Sequence, residues 1–434
     1  MPSELDDILI LSSQPDFRKR WEELRFKLQL DVMFYGVGPE RKSLCDILDN
    51  VARRGNQAVA EYTERFDRVT LTPEQFRIAD AELARAHTEM DASLLQSIRG
   101  AIANVRKYQT EIFIGNHTHP GIKYTPLRRV GVCVPGASAP LPSTVIMTVV
   151  PAQVAGVQEI VVVSPPRYQE SIHPVILAVC HELGVNEVYR IGGAQAVAAL
   201  AYGTATIAQV DKIVGPGNKW VQAAKKEVFG HVGIDSLAGP SEVLIIANDQ
   251  ANPAWVAADM LSQAEHNPGS AIALTDSQRL AESILEELKK QVAELGRSSE
   301  TMECLRKYSG VVVFDNMEDV IQGANDFASE HLEVQCGTRS REIAEKIRNA
   351  GAIFIGPYTP VAVGDYWAGP SHTLPTGMTA RFSSALTSND FIKSSSIIEY
   401  TAAQLAASAD DIIRLARTEG LDAHARSVEI RRQK

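Results

Sequence analysis

The sequence has no C-x-x-C pair. Its five cysteines, Cys45, Cys133, Cys180, Cys304 and Cys336, are scattered through 434 residues. That spacing argues against a disulfide frame or a thiolate metal site and for reduced thiols in a cytoplasmic protein. No apolar run is long enough to span a bilayer: the longest, TVIMTVVPAQVAGV, is short and broken by Pro151. The start, MPSELDDILILSSQPDFRKR, is acidic with a very short apolar run, unlike a secretory signal. Positive charge is not in excess either. A formal charge of −10 and an isoelectric point near 5.6 argue against nucleic acid or an anionic membrane as the main partner. No G-x-G-x-x-G follows a strand, so the usual dinucleotide fingerprint is missing. There is also no H-E-x-x-H or H-x-x-x-H pair, so any metal must be held by distant segments.

What is present is ordinary globular material, 45% hydrophobic and 22% charged, enough for two or three compact units. Residues 1–26 read as a short helical preface, and 40–110 as mostly helical, with Gly55 separating two helices in SLCDILDNVARRGNQAVAEYTERFD. From 129 to 230 strand-like and helix-like runs alternate: VGVCVP, EIVVVSPP, EVYRIGG and VDKIVGPG are each followed by a helical pattern. Four such units predict a parallel, doubly wound α/β sheet with ligands at the carboxyl ends of its strands, near PGASAP, IGGAQ and GPGN. EVLIIAND, AIALTDS, SGVVVFDN and GAIFIG predict a second α/β region. Residues 357–390 read as a long loop rich in Gly, Pro, Ser and Thr, and the chain from Thr401 as helix.

Six stretches carry candidate chemistry. Ahead of LSQAEHNPGS, Asn252 and Pro253 predict a helix start, and within it Asn267, Pro268 and Gly269 predict the stop. Gln263 and His266 then share a face, as half of a site or a solvated rim. GPGN and GGAQ place glycines between strand and helix, which suits an anionic ligand or tight turns alone. In ASEHLEV, the adjacent Glu330 and His331 can divide proton work, or form a surface dipeptide at a helix end. GDYWAGPSHTLPT offers Asp365 and His372, EGLDAHARS Glu419 and His424, with turn residues and a solvated helix face as the alternatives.

Read together, APLPSTVIM, GGAQAVAALAYGT, VDKIVGPGN, AGPSEVLIIA, SQAEH, SEHLE, GDY…GPSHTLPT and EGLDAHA resemble the histidinol dehydrogenase family, in its order and across nearly the whole chain. The resemblance implies two Rossmann-like parallel-sheet domains of aldehyde-dehydrogenase-like architecture with small helical end segments. It divides the chain into a helical segment 1–26, a first α/β domain of 27–130 and 242–385, a second of 131–241 with the NAD turns, and a tail 386–434 reaching a partner subunit. The activity it implies is NAD-dependent oxidation of L-histidinol through the aldehyde to L-histidine, in a cytoplasmic, intertwined homodimer with one zinc ion per subunit.

Carried over by motif, Gln263, His266, Asp365 and His424 are the metal ligands and Glu330 and His331 the acid/base pair. Ser241, His372 and Glu419 join the ligands and His331 as substrate contacts, with Glu419 and His424 reaching across the dimer. Gln195 and Asn218 match NAD-binding positions. There are departures: VGVCVPGA puts Cys133 where members usually have tyrosine and Ala137 where they have glycine, and Ser371 stands where many have asparagine. A paralogue oxidising another polar alcohol, such as a dihydroxypropanesulfonate, is the alternative. A non-catalytic relative should have lost part of the pair or the ligand set, which is complete.

Overall fold

A computed structural model describes residues 5–29, 39–136, 140–266 and 268–432. Its strands are β1 (Leu9–Leu11), β2 (Ile122–Pro126), β3 (Arg129–Cys133), β4 (Glu159–Val163), β5 (Glu187–Tyr189), β6 (Lys212–Val214) and β7 (Gly233–Ile234). They continue with β8 (Glu242–Ala247), β9 (Ser270–Thr275), β10 (Gly310–Val313), β11 (His331–Gln335), β12 (Ala352–Ile355) and β13 (Ile392–Ser396). The chain divides into a large unit, Met1–Ile114 with Pro126–Ile392, and a small one, Gly115–Thr125 with Lys393–Lys434.

The large unit is α/β, with two parallel sheets. One has five strands in the order β5-β4-β3-β6-β7, the other six in the order β1-β10-β9-β8-β11-β12. Strands such as EVLIIA and SAIALT are buried at every residue, as expected for parallel strands covered on both faces. Alternate residues feed separate cores. Val243 and Ile245 join Val256, Met260 and Ile284, while Leu244 and Ile246 join Val320, Phe327 and Ile343. Each such side chain stabilises the fold by about 1.5–3 kcal/mol when fully buried. Strand order reverses between β3 and β6 and between β8 and β11, so each sheet has one switch point, where side chains from both directions of winding meet.

Three expectations are corrected here. The preface contains β1, because the apolar run ILIL pairs in parallel with Val311–Val313 at the sheet edge. The helical residues from 39 to 111 share cores with the five-stranded sheet, and Asn104 among them donates to the Trp367 carbonyl at 2.9 Å. Leu44, Ile47, Val51 and Val59 share a core with Val161 and Leu200, and Ile98 and Val105 share one with Val132 and Val149. The boundary at residue 131 also falls inside β3. The stretch 357–390 is not one long loop: it holds the helix Val361–Tyr366.

The small unit holds most of β2 and β13, which pair with each other. It also contains the helix Ala402–Thr418, opened by a Thr401–Gln404 capping box, and the helix Asp422–Glu429. Its core is thin, built on Ala409, Ile413, Ala416 and Ala425, and leaves Ile398, Tyr400, Leu415 and Ile430 exposed.

Candidate active site

Glu330 and His331 are not a surface dipeptide. The helix Met317–Phe327 ends at Ala328 in the left-handed conformation, and the chain turns directly into β11. This buries Glu330 and His331 at the amino end of the strand, 5% and 4% exposed. His331 Nδ1–H donates to the Glu242 carbonyl at 2.9 Å, which leaves Nε2 as the lone-pair nitrogen of a neutral ring. Nε2 has no hydrogen-bond partner and lies 3.6 Å from Asp365 Oδ1. Glu330 Oε2 accepts the Glu242 backbone N–H at 2.7 Å and sits 3.5 Å from His331 Nδ1.

Charge in this pocket is finely opposed. Burial pushes Glu330 up to about 7 against the pull of His331, and pushes its neighbour Glu242 up to about 8 with help from Glu330. For His331 burial disfavours the cation, yet Glu330 and Asp365 outweigh it and hold the ring protonated to about 9. Burial also raises Asp365, but His331 foremost, then His372 and His266, keep it below its ordinary value and ionised. Burial lowers His372 and favours its neutral form.

Gln263 is buried in the last turn of the helix Pro253–Ala264, which Asn252 caps through the Ala254 N–H. His266 lies beyond that turn and is exposed, so the two do not share a helical face; Asn267 lies outside the described residues. The Gln263 amide nitrogen is buried without a partner. A glutamine amide, which ligates through its oxygen, an ionised carboxylate and neighbouring imidazoles are a donor set that suits zinc. The set is not closed within the large unit: among the described residues no three His, Cys, Asp or Glu side chains are arranged to hold a metal ion. Glu419 and His424 are exposed in the small unit, at the end of one helix and within the next. Ser241 is half-buried just before β8, next to Glu242. Buried Ser371 donates to the Met147 carbonyl and accepts the Thr373 N–H, each at 3.1 Å, which pins the loop carrying His372.

Gln195 and Asn218 meet in a cleft of about 830 Å³ at the carboxyl ends of β3, β5 and β6, which Cys133, Asp67, Arg167 and Trp220 help to line. The helix Gly193–Tyr202 has no side-chain cap, so its first N–H groups are free to face an anion. Asn218 instead caps its own helix through the Trp220 and Val221 N–H groups. Gly215 takes φ +103°, and a Cβ there would overlap the Cys133 carbonyl. Fully buried Lys225 ties this turn down, donating to the Gly215 carbonyl at 3.0 Å and to Asp235, whose other oxygen accepts the Gly215 N–H at 2.7 Å. Burial pushes the Cys133 thiol up to about 12, so it stays protonated and is no nucleophile. Ala137 lies outside the described residues.

Sequence patterns missed Glu242, although an acid opening the otherwise apolar EVLIIA was a visible signal. They also missed Glu333 and Gln335, polar residues alternating with Leu332 and Val334 in a fully buried strand.

The family model of histidinol dehydrogenase matches residues 39–432. The histidinol dehydrogenase of Geobacillus kaustophilus is 46% identical over 407 residues, 92% of this chain and 95% of its own length. That of Bacillus subtilis is 45% identical over 422 residues, covering 95% of this chain and 97% of its own. The crystal structure of histidinol dehydrogenase from Elizabethkingia anophelis superposes with a TM-score of 0.89 at 32% identity, over 98% of this chain and 97% of that one. With its two parallel sheets and its buried Glu–His pair, the chain belongs to the histidinol dehydrogenase family and is an oxidoreductase.

Proposed function

We propose that the protein oxidises L-histidinol to L-histidine through histidinaldehyde, in two NAD-linked steps of histidine biosynthesis. The observation that carries this reading is the state of His331: Nδ1 tied to the Glu242 carbonyl, Nε2 unpartnered, and Glu330 alongside. The ionised Asp365, with Glu330 on the other side of His331, suits a cationic amino alcohol better than an anionic sulfonate.

His331 Nε2 accepts the hydroxyl proton while the carbinol carbon gives up its hydride. Glu330 then takes a proton from water as that water adds to the aldehyde carbon, and the hydrate loses a second hydride. Glu242, in contact with Glu330 through both backbone N–H groups, keeps the base buried and oriented. Bound NAD would supply the hydride acceptor in both steps, and bound zinc would act as a template that orients the substrate. Gln195, Asn218 and the uncapped helix start at Gly193 would hold the dinucleotide. Gln263, His266 and Asp365 would hold zinc, with His424 from a second copy of the chain. Ser241, His372 and Glu419 would contact the substrate. Asp365 is one of the two carboxyl groups that raise His331, so engaging it as a zinc ligand would favour the basic form of the ring. The thin core and exposed apolar residues of the small unit support an intertwined homodimer. Free thiols at all five cysteines support a cytoplasmic setting.

The test is NAD reduction by purified protein with L-histidinol against other polar alcohols, with and without a chelator. Turnover specific to histidinol, lost on chelation and restored by zinc, is expected. Absence of histidinol turnover by metal-replete protein would overturn the reading.

A further inference from the structure

Outside the catalytic pair, the six-stranded sheet buries a second group of carboxyls. Glu333, 1% exposed, accepts the Val361 N–H on Oε1 at 3.0 Å. Gln335 Nε2 bridges Glu333 Oε2 at 2.8 Å and Asp259 Oδ2 at 2.7 Å, so the two carboxyl groups share one amide donor. Burial first, then the neighbouring Asp259, pushes Glu333 up to about 8.

These partners stand in register with the site. Asp259 is one helical turn before Gln263 on the helix Pro253–Ala264. Val361 is one turn before Asp365 on the helix Val361–Tyr366. Glu333 is two residues after His331 on β11, so both project from the same face of the strand. Leu332 and Val334, on the opposite face, enter an apolar core instead. Buried carboxyl groups cost stability that an apolar layer would not. What this pair supplies in exchange is directional: hydrogen bonds that fix three separate segments at one point.

We propose that Asp259 and Glu333, bridged by Gln335, are positioning residues that clamp together the three segments carrying Gln263, His331 and Asp365. The inference rests on the reading of Gln263 and Asp365 as zinc ligands. Neither clamp residue touches substrate; each acts through the backbone it holds. A hydrogen-bonding clamp should tolerate Glu333→Gln, whose oxygen still accepts from Val361 and whose amide donates to Gln335 Oε1, otherwise unpartnered, once the Gln335 amide turns over. It should not tolerate Glu333→Met, which has similar bulk and no polar atoms.

The experiment uses the full-length chain with two readouts. Hydrogen exchange of the metal-free protein should quicken about tenfold or more in residues 361–366 for Glu333→Met, relative to β8 and β9, but by less than about threefold for Glu333→Gln. Zinc affinity, measured by competition with a chelating dye, should weaken about 10–100-fold in Glu333→Met and Asp259→Ala and by less than about threefold in Glu333→Gln. Asp259→Ala leaves the Glu333–Val361 bond in place and serves as the second variant should Glu333→Met fail to fold. Wild-type exchange and affinity in Glu333→Met and Asp259→Ala, or equal impairment in Glu333→Gln, would overturn the clamp. A wild-type protein that binds no zinc would overturn the zinc reading alone, because the exchange measurement still decides the clamp.

Discussion

Replacing Glu330 by glutamine should separate the two proposed oxidations. The substitution preserves shape: a glutamine oxygen can still accept the Glu242 N–H now held at 2.7 Å, and the Glu330 N–H toward Glu242 is unaffected. What is lost is a buried proton acceptor poised near 7. A positioned base contributes about 10²–10⁴-fold, which at about 1.36 kcal/mol per decade is about 3–5 kcal/mol of barrier. That loss falls on the aldehyde step, where water must be deprotonated. The alcohol step keeps His331, and its ring is freed from the carboxylate that favours its protonated form most strongly. We expect aldehyde oxidation to fall about 10²-fold or more and alcohol oxidation by less than about tenfold. Single-turnover mixing of excess enzyme and NAD with histidinol or histidinaldehyde, followed by NADH absorbance, measures each step. Equal losses in the two steps would refute the division of labour.

Other perturbations test the scaffold. Gly215→Ala forces a Cβ against the Cys133 carbonyl at a φ of +103°. A strain of about 1–3 kcal/mol should raise KM for NAD about tenfold or more while the histidinol KM moves little; an unchanged NAD KM would remove this turn from the cofactor site. Lys225→Met leaves Asp235 buried with its cation gone, at a cost of about 3–5 kcal/mol in denaturant unfolding. Adding Asp235→Asn should recover part of that, and an additive double variant would show that the pair is not coupled. Glu182 is held down to about 2, first by its hydrogen bonds to Arg99 and then by His87, against burial. Its contribution to stability is therefore full above its ordinary 4.5 and disappears as pH falls toward 2. Glu182→Gln should lower Tm most near neutrality, with the deficit closing below about pH 4.5; a pH-independent deficit would contradict the assignment.

Local signals revealed the framework because burial on two faces leaves continuous apolar runs, as in EVLIIA and SAIALT. Helix starts were equally legible where one residue does the capping, as Asn252 and Thr401 do. Where tertiary contact decides, the pattern was silent. Three residues of ILIL form a strand only because β10 offers an edge. The helix Val361–Tyr366 begins at an N–H satisfied by Glu333, 28 residues earlier in the chain. His331 looked like a helix end because its strand is defined by β8, whose partner residue Val243 is distant in sequence. Family motifs named the candidate site residues, yet Glu242 and Asp259 lie outside the roles those motifs carry. Their partners lie 70 or more residues away, beyond the reach of any periodicity.

The ends of the two sheets explain why one chain can serve such different ligands. In the five-stranded sheet the cleft lies where β3, β5 and β6 finish and helices begin. Helix N-termini carry partial positive charge and free N–H groups, the environment that a pyrophosphate needs. In the six-stranded sheet the switch point between β8 and β11 is used at its opposite end, where strands begin. There the helix Met317–Phe327 has just ended, and the groups on offer are carbonyls and carboxyls: the Glu242 carbonyl for His331, and Glu330 and Asp365 beside it. A negative environment disfavours an anionic cofactor and favours cations, whether a metal, an amine or a proton. The common expectation that ligands gather at the carboxyl ends of parallel strands therefore applies to the proposed cofactor cleft and inverts for the proposed acid/base pair. The inversion follows from the sign of charge each chemistry has to accommodate.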